Sequence, residues 1–131
     1  MKRVIVSLLV LVACTVVIAA SFNATELDFT VSVLGLEERD VIKEGLKPIE
    51  LTTLTIRTNT ANVSVAEFRI FHARGKSPIN GAVVQGDRFD ISQYRKQAKS
   101  GDRIVIEVTG VTESGKGKTS LKDKIIQIPI N

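Results

Sequence analysis

The sequence has 131 residues and a formal net charge of +4, with 18 lysines and arginines against 14 aspartates and glutamates. The two signs are interspersed along the chain, which excludes the basic stripe that a nucleic-acid-binding surface requires. Cys14 is the only cysteine and His72 the only histidine, so the composition excludes a structural disulfide and a typical zinc site.

The chain begins with a segment typical of export signals. Lys2 and Arg3 give it a positive start, and an apolar run, Val4–Ala20, follows and closes on small residues. We therefore predict a signal peptide over residues 1–20, cleaved near its end. Residues 21–131 are then enough for a single domain that buries roughly two-thirds of its unfolded-chain surface.

Two alternatives to cleavage stay open. The apolar run reaches the low end of the roughly 17 to 25 residues that an uncut membrane anchor needs. Leu11–Cys14 also resembles the bacterial lipoprotein cleavage box, in which the cysteine is lipidated, although an apolar tail follows Cys14 where lipoproteins place a polar tether. We expect contact with a membrane only if the segment is retained or Cys14 is lipidated.

The first part of the domain shows two strand patterns separated by a charged segment. Apolar and polar residues alternate over residues 27–33, which is the period of a half-buried strand. Residues 35–48 lose that period and predict a long loop, with a helical turn around 38–43 as the alternative. Threonines and β-branched residues predict a second strand over 49–58. A slip in its apolar phase predicts either a bulge near 52–53 or a strand that changes partners.

The middle of the chain predicts a long interior strand and a short one. Residues 59–62 read as a turn, and the strand pattern returns over 63–73. One face of this strand carries Phe68, Ile70 and His72. Glycine and proline predict a loop over 74–81, and a short strand follows over 82–84.

One short helix is predicted near residues 90–99. Asp90 and Gln93 have the spacing of a capping box, in which each side chain bonds the other's backbone amide. Ile91 and Tyr94 share a face, and a helix this short depends on burying that face against a sheet.

The end of the chain predicts two strands joined by a polar connection. Residues 103–111 alternate cleanly, residues 113–123 are polar, and residues 124–130 alternate again. Pro129 indicates an edge or strand-end position for the last strand. The whole pattern predicts an all-β fold, a β-sandwich of antiparallel strands with the one short helix near 90–99, as a single domain over 21–131.

The polar connection contains a false nucleotide-binding motif, Gly110–Ser120. Gly110, Gly115 and Lys116 match a phosphate loop, but Gly117 stands where a serine or threonine must bind magnesium. The motif also needs a helix directly after the loop, whereas a strand pattern follows here. We interpret the segment as a cationic hairpin loop.

The remaining polar residues predict no chemistry. His72 has no accompanying nucleophile or further ligand, and we expect a surface or half-buried packing residue near a strand end. The acidic pairs Asp87 with Asp90 and Glu37 with Glu38 match no calcium loop. We therefore predict no catalytic, cofactor-binding or metal-binding residues, no cofactor and no enzymatic activity.

The order of features in the second half of the chain resembles one family. The features are the strand with Val65, Glu67, Phe68 and Arg69, the step 86–89, the helix through Tyr94 and Ala98, the segment 100–107 and the last strand 121–130. In this order, residues 51–131 resemble the C-terminal domain of the gliding-motility protein GldM and its type IX secretion counterpart PorM, from Bacteroidetes bacteria.

The resemblance implies a periplasm-facing β-domain that acts by protein contact, whose matching residues are turn and core positions rather than catalytic ones. In the family this domain lies in a dimeric shaft that reaches toward an outer-membrane partner. Family members carry a long region before it, whereas only residues 21–48 precede it here. We therefore expect a free-standing relative of the tip domain.

Our leading hypothesis is a non-catalytic exported protein–protein interaction domain of the bacterial envelope, periplasmic or secreted. We expect an envelope or secreted protein as its partner, or a second copy in a homodimer, bound by a sheet edge or the loops 74–81 and 113–123. The alternative is a secreted glycan-binding or adhesin-like β-sandwich. The absence of tryptophan and the single tyrosine disfavour it, because sugars stack on such rings.

Overall fold

The computed structural model describes residues 27–122 and 124–131. The predicted signal peptide and Cys14 lie outside these residues. Within them, no helix has the length and apolar character that crossing a membrane requires. The elements in chain order are β1 (Phe29–Val33), α1 (Val41–Glu44), a 3-10 turn (Pro48–Glu50), β2 (Thr53–Thr58), β3 (Val63–Arg74), β4 (Ser77–Gln85), β5 (Arg88–Asp90), a second 3-10 turn (Ser92–Tyr94), β6 (Arg103–Glu113), β7 (Lys118–Ser120) and β8 (Ile125–Pro129).

The strands form two antiparallel sheets, as the sequence predicts. The smaller sheet has the order β1-β2-β5, and the larger five-stranded sheet begins β4-β3-β6. β7 and β8 share the far side of β6: Ile104 pairs with Ile128 of β8, and Val111 pairs with Thr119 of β7. The all-β, sandwich-like fold class is therefore confirmed.

The core lies between the inner faces of the two sheets. Alternate side chains of each main strand are buried, and they form one cluster with the loop residues that cover its ends. The fully buried members include Leu54, Ile56, Phe68, Ile70, Ile104, Ile106, Val108 and Ile128. The expected interior position of β3 is confirmed, and its inward face is the one that carries Phe68, Ile70 and His72.

The predicted long loop before β2 carries α1 and closes one end of the core. Asp40 caps the helix by accepting a hydrogen bond from the Lys43 amide. Leu46 is fully buried and bridges to the end of β8, where its amide donates to the Pro129 carbonyl at 2.8 Å. Gly45 (φ 76°) permits this approach, because a Cβ there would lie 2.6 Å from the same carbonyl oxygen.

The predicted bulge near residues 52–53 is wrong. β2 begins only at Thr53, and its pairing with β1 is regular from Phe29–Thr58 to Val33–Leu54. Residues 48–50 form a 3-10 turn instead of the start of the strand. Leu51 is fully buried but lies in the connection before β2. It therefore does not follow the alternation of the strand, which explains the change of apolar phase in the sequence.

The predicted loop at residues 74–81 is a tight hairpin. β4 extends to Ser77 and pairs along β3. A register shift between His72 and Ala73 absorbs one extra residue, so that Pro78 pairs with Ala73. Proline is tolerated here because β4 lies at the edge of the sheet.

The predicted helix near 90–99 is a 3-10 turn followed by further turns. Asp90 accepts from the Ser92 amide at 2.9 Å, and Gln93 Nε2 donates to the Asp90 carbonyl, so the reciprocal capping box is absent. Ile91 and Tyr94 are nevertheless buried as predicted. A single turn is enough to bury both side chains, so no longer helix forms.

Candidate functional site

Glu67 on the outer face of the five-stranded sheet connects four of its strands. Its carboxylate accepts hydrogen bonds from Gln85 of β4 at 2.8 Å, Thr109 of β6 at 2.9 Å and Lys118 of β7 at 2.8 Å. These bonds, led by the one from Lys118, lower the pKa of Glu67 to about 2. The cluster fixes the outer face at the end where β6 turns into β7.

Lys118 lies within the segment of the false nucleotide-binding motif, and its contacts give Gly110 a structural reason. Its side chain lies over Gly110, where a Cβ would come within 2.6 Å of Lys118 Cε. The segment that follows the turn is the short strand β7, which pairs with Gly110–Thr112. The predicted polar connection at 113–123 thus contains a strand, and a lysine of the motif binds a carboxylate of the protein itself.

His72 is the centre of a second polar cluster, at the opposite end of β3. The prediction of a surface or half-buried histidine is wrong, since its side chain is fully buried with Nε2 2.7 Å from Asp102 Oδ2. Arg74 donates to both oxygens of this carboxylate, at 2.8 and 2.9 Å, and the Lys99 amide donates at 2.9 Å. Tyr94 covers the histidine ring at 5.8 Å between centroids.

The charges of this cluster indicate that it stabilises the fold by connecting separate segments of the chain. The Arg74 bonds, followed by those of His72 and Lys99, hold the pKa of Asp102 well below its usual range. An ionised carboxylate only accepts, so His72 Nε2 carries the proton, and Nδ1 is buried without a partner in the described chain. The cluster joins the end of β3 to the start of β6 and to the turn after Tyr94.

The outer face of the same sheet carries an apolar surface centred on Phe71. Phe71 pairs with Gly81 of β4 and with Val105 of β6. Its ring lies over Gly81, because a Cβ at that position would be 2.5 Å from Phe71 Cδ1. Val83 of β4 is 63% exposed, and Ile125 of β8, on the far side of β6, is 57% exposed. We call these five residues the Phe71 surface.

Two hollows flank the Phe71 ring, and each contains a cation. The larger, of about 490 Å³, is lined by β4 residues together with Phe71 and Arg69. The smaller, of about 230 Å³, lies on the other side and includes Lys76 and Arg103. The side chains of Arg69 and Lys76 form no hydrogen bond or ion pair with any other described residue, although Glu107 stands opposite Arg69 in the register of β3 and β6.

The residues weighed from sequence do not form a common site. Asp87 faces Arg88 at 3.8 Å, Asp90 caps the second 3-10 turn, and no group of three metal-ligating side chains occurs in residues 27–122 and 124–131. Sequence reasoning missed Asp102 as the partner of His72 and missed the Phe71 surface. The alternation of apolar residues on both faces of residues 63–73 was the signal available for the latter.

Comparisons with known proteins give a family match. The family model described as the GldM C-terminal domain matches residues 52–131. No curated protein and no solved structure matches the chain. The matched range includes β2 to β8, both polar clusters and the Phe71 surface.

Proposed function

Since the chain belongs to the GldM C-terminal domain family, we propose that it is a non-catalytic protein-interaction domain of the bacterial envelope, exported to the periplasm or beyond. The observation that carries this proposal is the Phe71 surface. In line with the family, the partner is an envelope or secreted protein that acts in gliding motility or type IX secretion.

The Phe71 surface has the composition of a protein interface. An antiparallel sheet that packs one face on the core normally presents polar residues on the other, yet this outer face carries Phe71 beside Val105, with the exposed Val83 and Ile125 at the two ends of the neighbouring cross-strand row. Cations and the Glu67 cluster surround them. An apolar centre with a charged rim is the usual anatomy of a protein–protein contact.

Burial of aromatic residues supports a protein partner over a glycan. The only tyrosine, Tyr94, is 2% exposed and packs between His72 and Phe89. Sugar-binding platforms use exposed aromatic rings with a polar handle. Phe71 has no such handle and supplies apolar contact area alone.

Site-specific photo-crosslinking in the producing cells tests the proposal. A photoreactive residue at Val105 is expected to form a defined adduct with one envelope or secreted protein, and the same residue at Glu38, in a charged loop, is not. Phe71→Ser is expected to reduce the Val105 adduct severalfold, because it removes the apolar centre of the contact. Leu34→Ser, an exposed leucine away from the surface, is the matched control.

The outcomes separate clearly. Loss of the adduct with Phe71→Ser but not with Leu34→Ser, at equal thermal stability of the two variants, supports the proposal. Absence of any Val105 adduct, or equal adducts at Val105 and Glu38, counts against it.

A further inference from the structure

β4 forms an edge of the five-stranded sheet that lacks the usual protection against pairing. It is nine residues long, Ser77–Gln85, and contains no charged side chain. Within the described residues, its backbone hydrogen bonds go to β3 alone. Natural proteins normally protect such an edge with lysine, proline, a bulge or a covering segment. Here Pro78 and the register shift lie at one end, and residues 80–85 have no such device.

The other edges of the two sheets are short, charged or covered. β5 has three residues, two of them charged, and β7 has three with Lys118 among them. β8 ends in Pro129, whose carbonyl is bonded by the Leu46 amide. β1 has five residues. β4 is therefore the longest edge available to another strand.

The side chains beside this edge are suited to a particular kind of strand. Because Gly81 has no side chain, the Phe71 ring extends over it toward the edge. A residue of an added strand opposite Gly81 would meet that ring, and its neighbours two positions away would lie near Val83 and Ile79. The Arg69 and Lys76 side chains lie on the two sides of the ring and form no hydrogen bond or ion pair within the described chain.

From these contacts we infer that the β4 edge binds an extended acidic segment of another protein as an additional strand, with an apolar residue on Phe71 and carboxylates near Arg69 and Lys76. The inference rests on the proposed function and specifies its partner. Main-chain hydrogen bonds supply affinity in this mode, and the alternate side chains supply specificity. A second copy of the chain fits less well, because its own β4 has no acidic residue to pair with these cations.

The test uses the purified protein and synthetic peptides of about seven residues, the length of an ordinary strand. The binding peptide has valine at its centre, glutamates two positions away on each side so that all three side chains lie on one face, and threonine at the other positions. One control has lysine in place of both glutamates, and another carries N-methyl groups at alternate residues to block strand pairing. We expect the glutamate peptide to shift the NMR amide signals of residues 80–85 and to slow their hydrogen exchange. Both controls should leave these signals unchanged.

Charge variants test the two cations. Arg69→Gln combined with Lys76→Gln is expected to weaken binding of the glutamate peptide by roughly three- to tenfold, as exposed ion pairs do. Arg57→Gln combined with Lys122→Gln makes the same change in net charge at exposed positions away from β4 and should have no such effect. Added salt should weaken the binding further.

Each other outcome overturns the inference. Equal binding of the lysine or N-methylated peptide, shifts confined to other strands, no binding, or a concentration-dependent dimer that protects β4 would each do so. A Val105 adduct lost with Phe71→Ser, together with an unresponsive β4, would leave the proposed function standing and remove only this inference.

Discussion

Asp102→Asn tests whether the buried carboxylate holds the end of β3 against β6. The change preserves volume but removes the charge that faces His72 at 2.7 Å and Arg74 at 2.8 and 2.9 Å. It also places an amide donor against groups that themselves donate. Hydrogen bonds to charged groups contribute about 1.5–3 kcal/mol each, and removing one partner of a buried pair costs about 3–5 kcal/mol.

The expected loss for Asp102→Asn is at the lower end of these values. Arg74 is 47% exposed and recovers hydration when the carboxylate is lost, so we expect a decrease of about 2–4 kcal/mol in the free energy of unfolding. Urea denaturation at neutral pH measures it. Asp87→Asn, which alters only an exposed contact at 3.8 Å, is the control and should change the value by less than about 0.5 kcal/mol.

The pH dependence of the free energy of unfolding provides a second test of the Asp102→Asn prediction. The folded-state pKa of Asp102 lies below its unfolded value, so its stabilisation is fully present above about pH 5 and is lost as the pH falls through the folded pKa. The difference between the native protein and Asp102→Asn should therefore shrink in acid. Equal effects of the Asp102 and Asp87 variants, or a difference that grows in acid, would refute the reasoning.

Two further predictions concern the outer face of the sheet. The Glu67 carboxyl should titrate in NMR at a pKa of about 2, and in Lys118→Gln this pKa should rise toward the ordinary value because its largest cause is removed; an unchanged pKa contradicts the network. Gly81→Ala should lower the free energy of unfolding by about 1–2 kcal/mol, because the new Cβ would lie 2.5 Å from Phe71 Cδ1. Gly117→Ala, with nothing within 4 Å, is its control and should be nearly neutral in the same denaturation measurement; equal losses would contradict the contact.

The sequence predicts the long strands well because their pattern reports burial directly. In β3 and β6 alternate residues face the core, so apolar alternation and structure have the same origin. β7 has no such signal: all three of its residues are exposed. It is held by pairing with β6 and by the bond from Lys118 to Glu67, 51 residues earlier in the chain. The apolar and polar pattern of three neighbouring residues gives no information about a pairing partner so far away in the chain.

Local capping chemistry misled the prediction near residue 90 for a related reason. Asp90 and Gln93 have the spacing of a capping box, but the burial of Ile91 and Tyr94 needs only one turn. Because one turn already buries both side chains in the core, the chain does not continue as a helix beyond it. His72 shows the same limit for a site: its inward face follows from alternation, whereas its partner Asp102 lies 30 residues away across the β3–β6 pair.

The core of the described structure extends beyond the range of the family match. The match begins at residue 52, yet the core cluster includes residues from Leu27 onward. β1 pairs with β2 over five residues and buries Val31 and Val33 against the sheet, and Leu46 closes the end of β8. Without these parts the smaller sheet would keep only β2 and β5, and a two-stranded ribbon is marginal in water. Residues of the segment 27–51 therefore pack in the same core cluster as residues of the family region.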